Sequence, residues 1–188
     1  AQKFLDIKCR LSGLRPKCVV LVATIRSLKM NGGVAKIDLG AENVEALVRG
    51  AVNVQRHIEN LKGYGLPVIV ALNHFTGDTV AEVETIRGIV AAMGAELHVC
   101  RHWAEGGKGA EDLARAVIAR LAKREDKFQL LYDDALPLLA KIEMTASCIY
   151  RAGGVEARPA IRAQLKRWED AGFGRLPVCI AKTQYSFS

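Results

Sequence analysis

Leu66-Pro67-Val68-Ile69-Val70-Ala71-Leu72, followed by Asn73-His74-Phe75-Thr76-Gly77-Asp78-Thr79, is the stretch that decides the fold. The first half is a short apolar run rich in β-branched residues, the composition of a strand buried on both faces in a parallel sheet. Pro67 stands at the entry, where a missing ladder donor is tolerated. The second half is polar and glycine-containing, and it leads into Thr79-Val80-Ala81-Glu82. That tetrad is a capping box, in which a hydroxyl accepts from the third amide and a carboxylate reaches back. Strand, polar loop and helix start therefore make one βα unit.

Similar units flank it on both sides. Upstream, Cys18 to Thr24 reads as a first strand, and residues 42–62 carry Val44, Leu47, Val48, Ala51, Val54, Ile58 and Leu61 on one helical stripe ended by Gly63. Downstream, the helix from Thr79 puts Val83, Ile86, Val90 and Met93 on one face, breaks at Gly94, and feeds a third strand, Glu96 to Cys100. Helices follow over about 110–124 and 137–149. Pro159 suits the first turn of another, with Ile161, Leu165 and Trp168 as its core-facing stripe, and Leu176 to Ala181 reads as a last strand. The expectation is an α/β fold with a mostly parallel sheet flanked by helices. It divides into βα units over 1–130 and a smaller segment of helix and strand over 131–188.

Composition narrows the class. Half of the 188 residues are apolar and a quarter charged, enough for a real core, and no apolar run is long enough to span a bilayer. No secretory leader pattern opens the chain, so the expected compartment is the cytoplasm, with no membrane partner. Cys18, Cys100 and Cys179 lie in apolar runs and read, with Cys9 and Cys148, as free thiols, those three as small buried hydrophobes. The net charge of +7 suits either a nucleic-acid surface or an anionic small molecule. Scattered basic residues and 6% aromatics argue against nucleic acid as a partner.

In a parallel sheet, ligands gather beyond the carboxyl ends of the strands. The loops there hold Lys29-Met30-Asn31-Gly32-Gly33, Asn73 to Thr79, and His102-Trp103-Ala104-Glu105-Gly106-Gly107-Lys108-Gly109. Gly106, Gly107 and Gly109 suit either a backbone cradle for an anion before a helix or a simple chain reversal; the Walker A spacing is absent. Phe75 and Trp103 are large aromatics in neighbouring loops, suited either to clamping a flat heterocycle or to plugging the sheet end. Asn73 and Asp78 have the residue types that read a purine base, and Asp78 equally suits a cap. His98, Cys100 and His102 raise a metal site, which lacks an evident fourth ligand. No serine-hydrolase, zinc-protease or zinc-ribbon motif is present.

Collinear blocks carry a resemblance. Phe4 to Arg10 with Ser12-Gly13-Leu14, Val20 to Thr24 with Lys29 to Gly33, Leu66 to Asp78, His102 to Gly109, and Phe173 to Ser186 resemble formate-tetrahydrofolate ligases in the same order. The resemblance implies a P-loop-type α/β enzyme, and one-carbon chemistry in which ATP and Mg2+ activate formate as formyl phosphate. The formyl group then passes to N10 of tetrahydrofolate. It further implies small-molecule substrates, dependence on a monovalent cation (K+ or NH4+), and a homotetramer.

In that family the folate ring lies between two aromatics, matched here by Phe75 and Trp103, which makes Asn73, Phe75, Asp78, Trp103, Gly106 and Gly107 the expected substrate-binding set. The family's phosphate loop with its lysine, and the arginine that steadies formyl phosphate, precede the segment matched here. No catalytic residue and no metal ligand are therefore expected in this sequence, and the chain alone is expected to be inactive. The alternative is a non-catalytic folate- or nucleotide-binding module. One departure stands out: the family usually has Pro after the Phe, where this sequence has Thr76, and a looser ring is expected from it.

Overall fold

A computed structural model describes residues 1–123, 125 and 127–181. A π-helical segment, Lys3–Cys9, runs into α1 (Arg10–Ser12). Then come β1 (Val19–Ala23), α2 (Ile25–Asn31), α3 (Val44–Gly63), β2 (Val68–Asn73), α4 (Val80–Ala92), β3 (Glu96–Cys100), α5 (His102–Glu105) and α6 (Glu111–Ala122). After them follow α7 (Leu138–Tyr150) and α8 (Pro159–Trp168). The chain folds as two units: one holds Pro16–Phe128, the other joins Ala1–Arg15 to the part from Gln129 onward.

The Pro16–Phe128 unit is a parallel sheet in the order β1-β2-β3, with Val70 of β2 opposite Leu21 on one side and Leu97 on the other. This is the expected α/β arrangement. Central β2 is buried from Val68 through Leu72, which is why its sequence runs apolar without alternation. Edge β1 differs from expectation: Val20 and Val22, which point to the same face of the strand, are 40% and 59% exposed, so that face is left largely uncovered.

Helix starts follow local chemistry. Asn43 accepts from the Ala46 amide to begin α3, and at α4 Thr79 Oγ1 accepts from Glu82 N at 3.2 Å while Glu82 Oε2 accepts from Thr79 N at 3.1 Å. Leu47, Ile58, Ile86 and Val90 are buried beneath α3 and α4, each contributing roughly 1.5–3 kcal/mol of apolar burial. Helix α2, which the strand-to-loop reading missed, lies tight against α3. A Cβ on Gly50 would sit 1.8 Å from the Leu28 carbonyl oxygen, so only glycine permits that approach.

The second unit relies on polar anchors. Buried Asp6 accepts from Leu131 N at 2.9 Å, and Arg10 donates to Asp134 at 2.7 Å and to the Tyr132 carbonyl at 2.8 Å. Glu169 Oε1 accepts from Leu138 N at 2.7 Å and so caps α7 from a distance. Buried Lys141 donates to the carbonyls of Gly174 and Leu176, and the Tyr132 hydroxyl accepts from Val178 N. Three expectations are corrected here. Residues 176–181 form no strand, because these side-chain anchors and not a ladder satisfy their backbone. Cys179, lacking that strand, is exposed. Trp168 is 46% exposed, since α8 buries only Leu165. Residues 182–186, the end of the last matching block, lie outside the described residues.

Candidate functional site

The parallel register brings the ends of β2 and β3 together: Asn73 pairs with Cys100, and His74 N donates to the Cys100 carbonyl at 3.0 Å. The two aromatic loops begin from that point. Trp103, the second residue of α5, is 56% exposed, and its indole Nε1 donates to the His74 carbonyl at 2.8 Å. The ring of one loop is thus tied to the residue directly before the ring of the other. Phe75 is half-buried, and the two rings make no contact with each other among the described residues. Neither plugs the sheet end as fully buried core.

Phe75 is held by its own loop. Its amide donates to Asp78 Oδ2 at 2.9 Å, and the Asp78 amide donates back to the Phe75 carbonyl at 2.9 Å. Two reciprocal bonds close this turn without a proline, which is how the loop tolerates Thr76. The Asp78 carboxylate therefore serves the Phe75 turn, while Thr79 caps α4. Asn73 stands half-buried at the strand end. Gly106 and Gly107 are exposed in a 3-10 turn, Gly106–Ala110, and the loop closes where Arg101 N donates to the Gly109 carbonyl at 2.9 Å. Gly109 must be glycine, because a Cβ there would lie 2.5 Å from the Arg101 carbonyl carbon.

Beneath the Phe75 turn lies a buried ion pair that sequence reading did not find. Lys29 of α2 and Glu82 of α4 are both 0% exposed, with Nζ 2.8 Å from Oε1. Lys29 Nζ also donates to the Ala41 carbonyl at 2.8 Å, and Glu82 accepts from Asn43 N at 3.0 Å. One carboxylate thereby joins α2, the start of α3 and the start of α4. Burial pushes the Glu82 carboxyl up, but the Lys29 ammonium and the two backbone amides outweigh it and hold the carboxyl below its ordinary value. The only hint in the sequence is that Lys29 follows β1 at helical distance from Ile25.

Arg26, also on α2, was missed entirely. Its guanidinium carbon sits 4.6 Å from the centroid of the Phe75 ring. Beyond His74 and Asp78, a groove of about 360 Å³ continues along Glu84, Arg87, His98 and Arg101.

Burial raises the Cys100 thiol above its ordinary value, which disfavours the thiolate. Among the described residues, no group of three or more His, Cys, Asp and Glu side chains is placed to hold a metal, so His98, Cys100 and His102 do not form one. The site offers aromatic faces, backbone amides and a guanidinium, which is equipment for binding and orienting.

The class is an α/β protein with a candidate site, aromatic and cation-bearing, at the carboxyl ends of a parallel sheet. The model for formate-tetrahydrofolate ligase matches residues 1–188, and the chain belongs to that family. It is 59% identical over 188 residues to a formate-tetrahydrofolate ligase of Rhizobium rhizogenes. Over the same length it is 60% identical to those of Allorhizobium ampelinum and Paracoccus denitrificans. Each comparison covers 100% of this chain and 34% of the relative, so the chain spans about a third of the length of these curated relatives.

Proposed function

We propose that this chain supplies part of the folate site of an enzyme that joins formate to tetrahydrofolate at the expense of ATP, giving 10-formyltetrahydrofolate through formyl phosphate. In this reading Phe75 and Trp103 face the two sides of the pterin ring, Asn73 offers its amide at the strand end, and the Gly106-Gly107 turn admits the ligand to backbone amides. Asp78 acts by holding the Phe75 turn closed. The observation that carries the reading is the 2.8 Å bond from the Trp103 indole to the His74 carbonyl, which fixes one ring beside the loop of the other. Family membership supports the same ligands.

The chemistry asked of these residues is alignment. An acyl phosphate is already activated, so the site's work is to hold the acceptor amine beside it and keep water away. Mg2+ and a monovalent cation belong to this reading of the whole enzyme, as do a cytoplasmic setting and a homotetramer. The described residues present no cluster of three or more His, Cys, Asp and Glu side chains for a metal.

Tryptophan fluorescence tests the reading. In a chain carrying Trp168→Phe, Trp103 is the remaining tryptophan, and tetrahydrofolate is expected to quench it saturably. Adding Phe75→Ala is expected to weaken that binding by roughly 2- to 13-fold, the range of one stacking contact. Quenching unaffected by Phe75→Ala, in a chain shown to be folded by circular dichroism, would remove Phe75 from the site.

A further inference from the structure

We propose that Arg26 is an anion-recognising residue of the candidate site, placed by Phe75 to grip the carboxylate or phosphoryl oxygens of a bound ligand. The inference rests on the folate-site reading and adds to it a residue and a ligand chemistry. Three observations carry it.

First, Arg26 is exposed, and its one interaction among the described residues is with the Phe75 ring, 4.6 Å from guanidinium carbon to centroid. No carboxylate neutralises it and no carbonyl takes its N–H groups among those residues. Most other arginines of this unit are committed: Arg49 donates to the Gly32 carbonyl, Arg87 to Leu97 and Glu84, and Arg120 to Glu125. A guanidinium stacked on a ring keeps its planar fork of donors free at the edge, the geometry that matches two oxygens of a carboxylate or phosphate.

Second, its position is fixed. Arg26 stands three residues before Lys29 on α2, and Lys29 is locked to Glu82 at 2.8 Å beneath the turn that presents Phe75. Glu82 in turn bonds Thr79, the residue following Asp78. Helix and aromatic loop are therefore pinned together, and the stacking of Arg26 on Phe75 follows from that buried anchor.

Third, the location is the carboxyl end of a parallel sheet, beside the ring assigned to ligand binding. Asp78, the nearest acid in this loop, is already bonded to the Phe75 amide. An uncommitted cation at this mouth suits an anionic ligand. Two parts of the proposed reaction supply such oxygens: the glutamate tail of the folate, and the phosphoryl donor.

The test uses a chimera in which residues 1–188 replace the matched segment of the Rhizobium rhizogenes ligase. Arg26→Ala, Arg26→Lys and Phe75→Ala are compared by steady-state kinetics, varying tetrahydrofolate as mono- and triglutamate, then ATP and formate. Arg26→Ala is expected to raise at least one KM by about tenfold while kcat changes less than about threefold, with Arg26→Lys intermediate because it keeps charge but loses the planar fork. A larger effect on the triglutamate assigns the anion to the folate tail; an effect confined to ATP or formate assigns it to the phosphoryl donor. If Phe75→Ala raises the tetrahydrofolate KM while Arg26→Ala leaves every KM within about twofold, the Arg26 proposal is wrong and the aromatic site stands. If Phe75→Ala also has no effect, the folate-site reading itself fails.

Discussion

Among the described residues two lysines are completely buried, one in each unit, and they are accommodated in different ways. Lys29 in the sheet unit meets a carboxylate, Glu82, with the Ala41 carbonyl beside it. Lys141 in the other unit meets, among the described residues, only the carbonyls of Gly174 and Leu176, at 2.7 and 3.1 Å. In the first case charge is cancelled and the desolvation cost of each ion is offset by the other. In the second, neutral dipoles replace water around an ammonium. The contrast matches the two styles of folding: a parallel sheet that buries aliphatic surface and needs one polar pin, against a helical unit, without strands among its described residues, that is held by side-chain anchors.

Removing one charge from each place should expose the difference. Lys29→Met leaves the Glu82 carboxylate buried without its cation, and a loss of about 3–5 kcal/mol is expected in urea unfolding. The double variant Lys29→Met with Glu82→Gln should recover most of that loss; failure to recover would mean the ammonium acts through something other than the pair. Lys141→Met should cost less, about 1–3 kcal/mol, because it strands only neutral carbonyls. Equal losses from the two single variants would sink the comparison.

Titration should sharpen it with smaller effects. Glu82 has a depressed carboxyl, so the unfolded state binds more protons once pH drops below the ordinary glutamate value. Its contribution is complete above that value and is lost as pH falls through the folded one. Lys141 has an ammonium lowered chiefly by burial, with Asp134 opposing and Arg10 and Arg175 reinforcing the shift. Between its folded value and the ordinary lysine value, the unfolded state again binds more protons, so stability rises as pH climbs through that window. Unfolding midpoints across pH should therefore show an acid loss blunted by Lys29→Met, and the difference between wild type and Lys141→Met should grow in favour of wild type as pH climbs through the Lys141 window. The difference is the readout because the raised thiols of Cys9, Cys18 and Cys100 and the raised Tyr132 hydroxyl pull the wild-type curve the other way; a difference that stays flat in alkali would contradict the Lys141 half.

Much of the sheet unit was legible beforehand, for physical reasons that are local. The buried run before Asn73 gave β2 to within two residues at its start, and Glu96 to Cys100 matched β3. The capping box at Thr79 formed as its residue types require. Phe75 and Trp103 were legible as large aromatics in strand-end loops. Less legible were features whose partners are distant in sequence. Leu176 to Ala181 has the composition of a strand, but Tyr132 and Lys141 claim its backbone groups first. Helix α2 was hidden because it is short and its tight seat against α3 depends on Gly50, which a periodicity count treats as a blemish.

Local sequence was enough to give β2, β3, the long helices around them and which loops follow the strands, because strand burial, helical period and capping are set by neighbouring residues. Only the tertiary structure decided that Lys29 would meet Glu82, that the Trp103 indole would bond the His74 carbonyl, and that Arg26 would lie on Phe75. Those pairings depend on where the chain path delivers each side chain, and a polar group taken out of water must use whichever partner that path brings within reach.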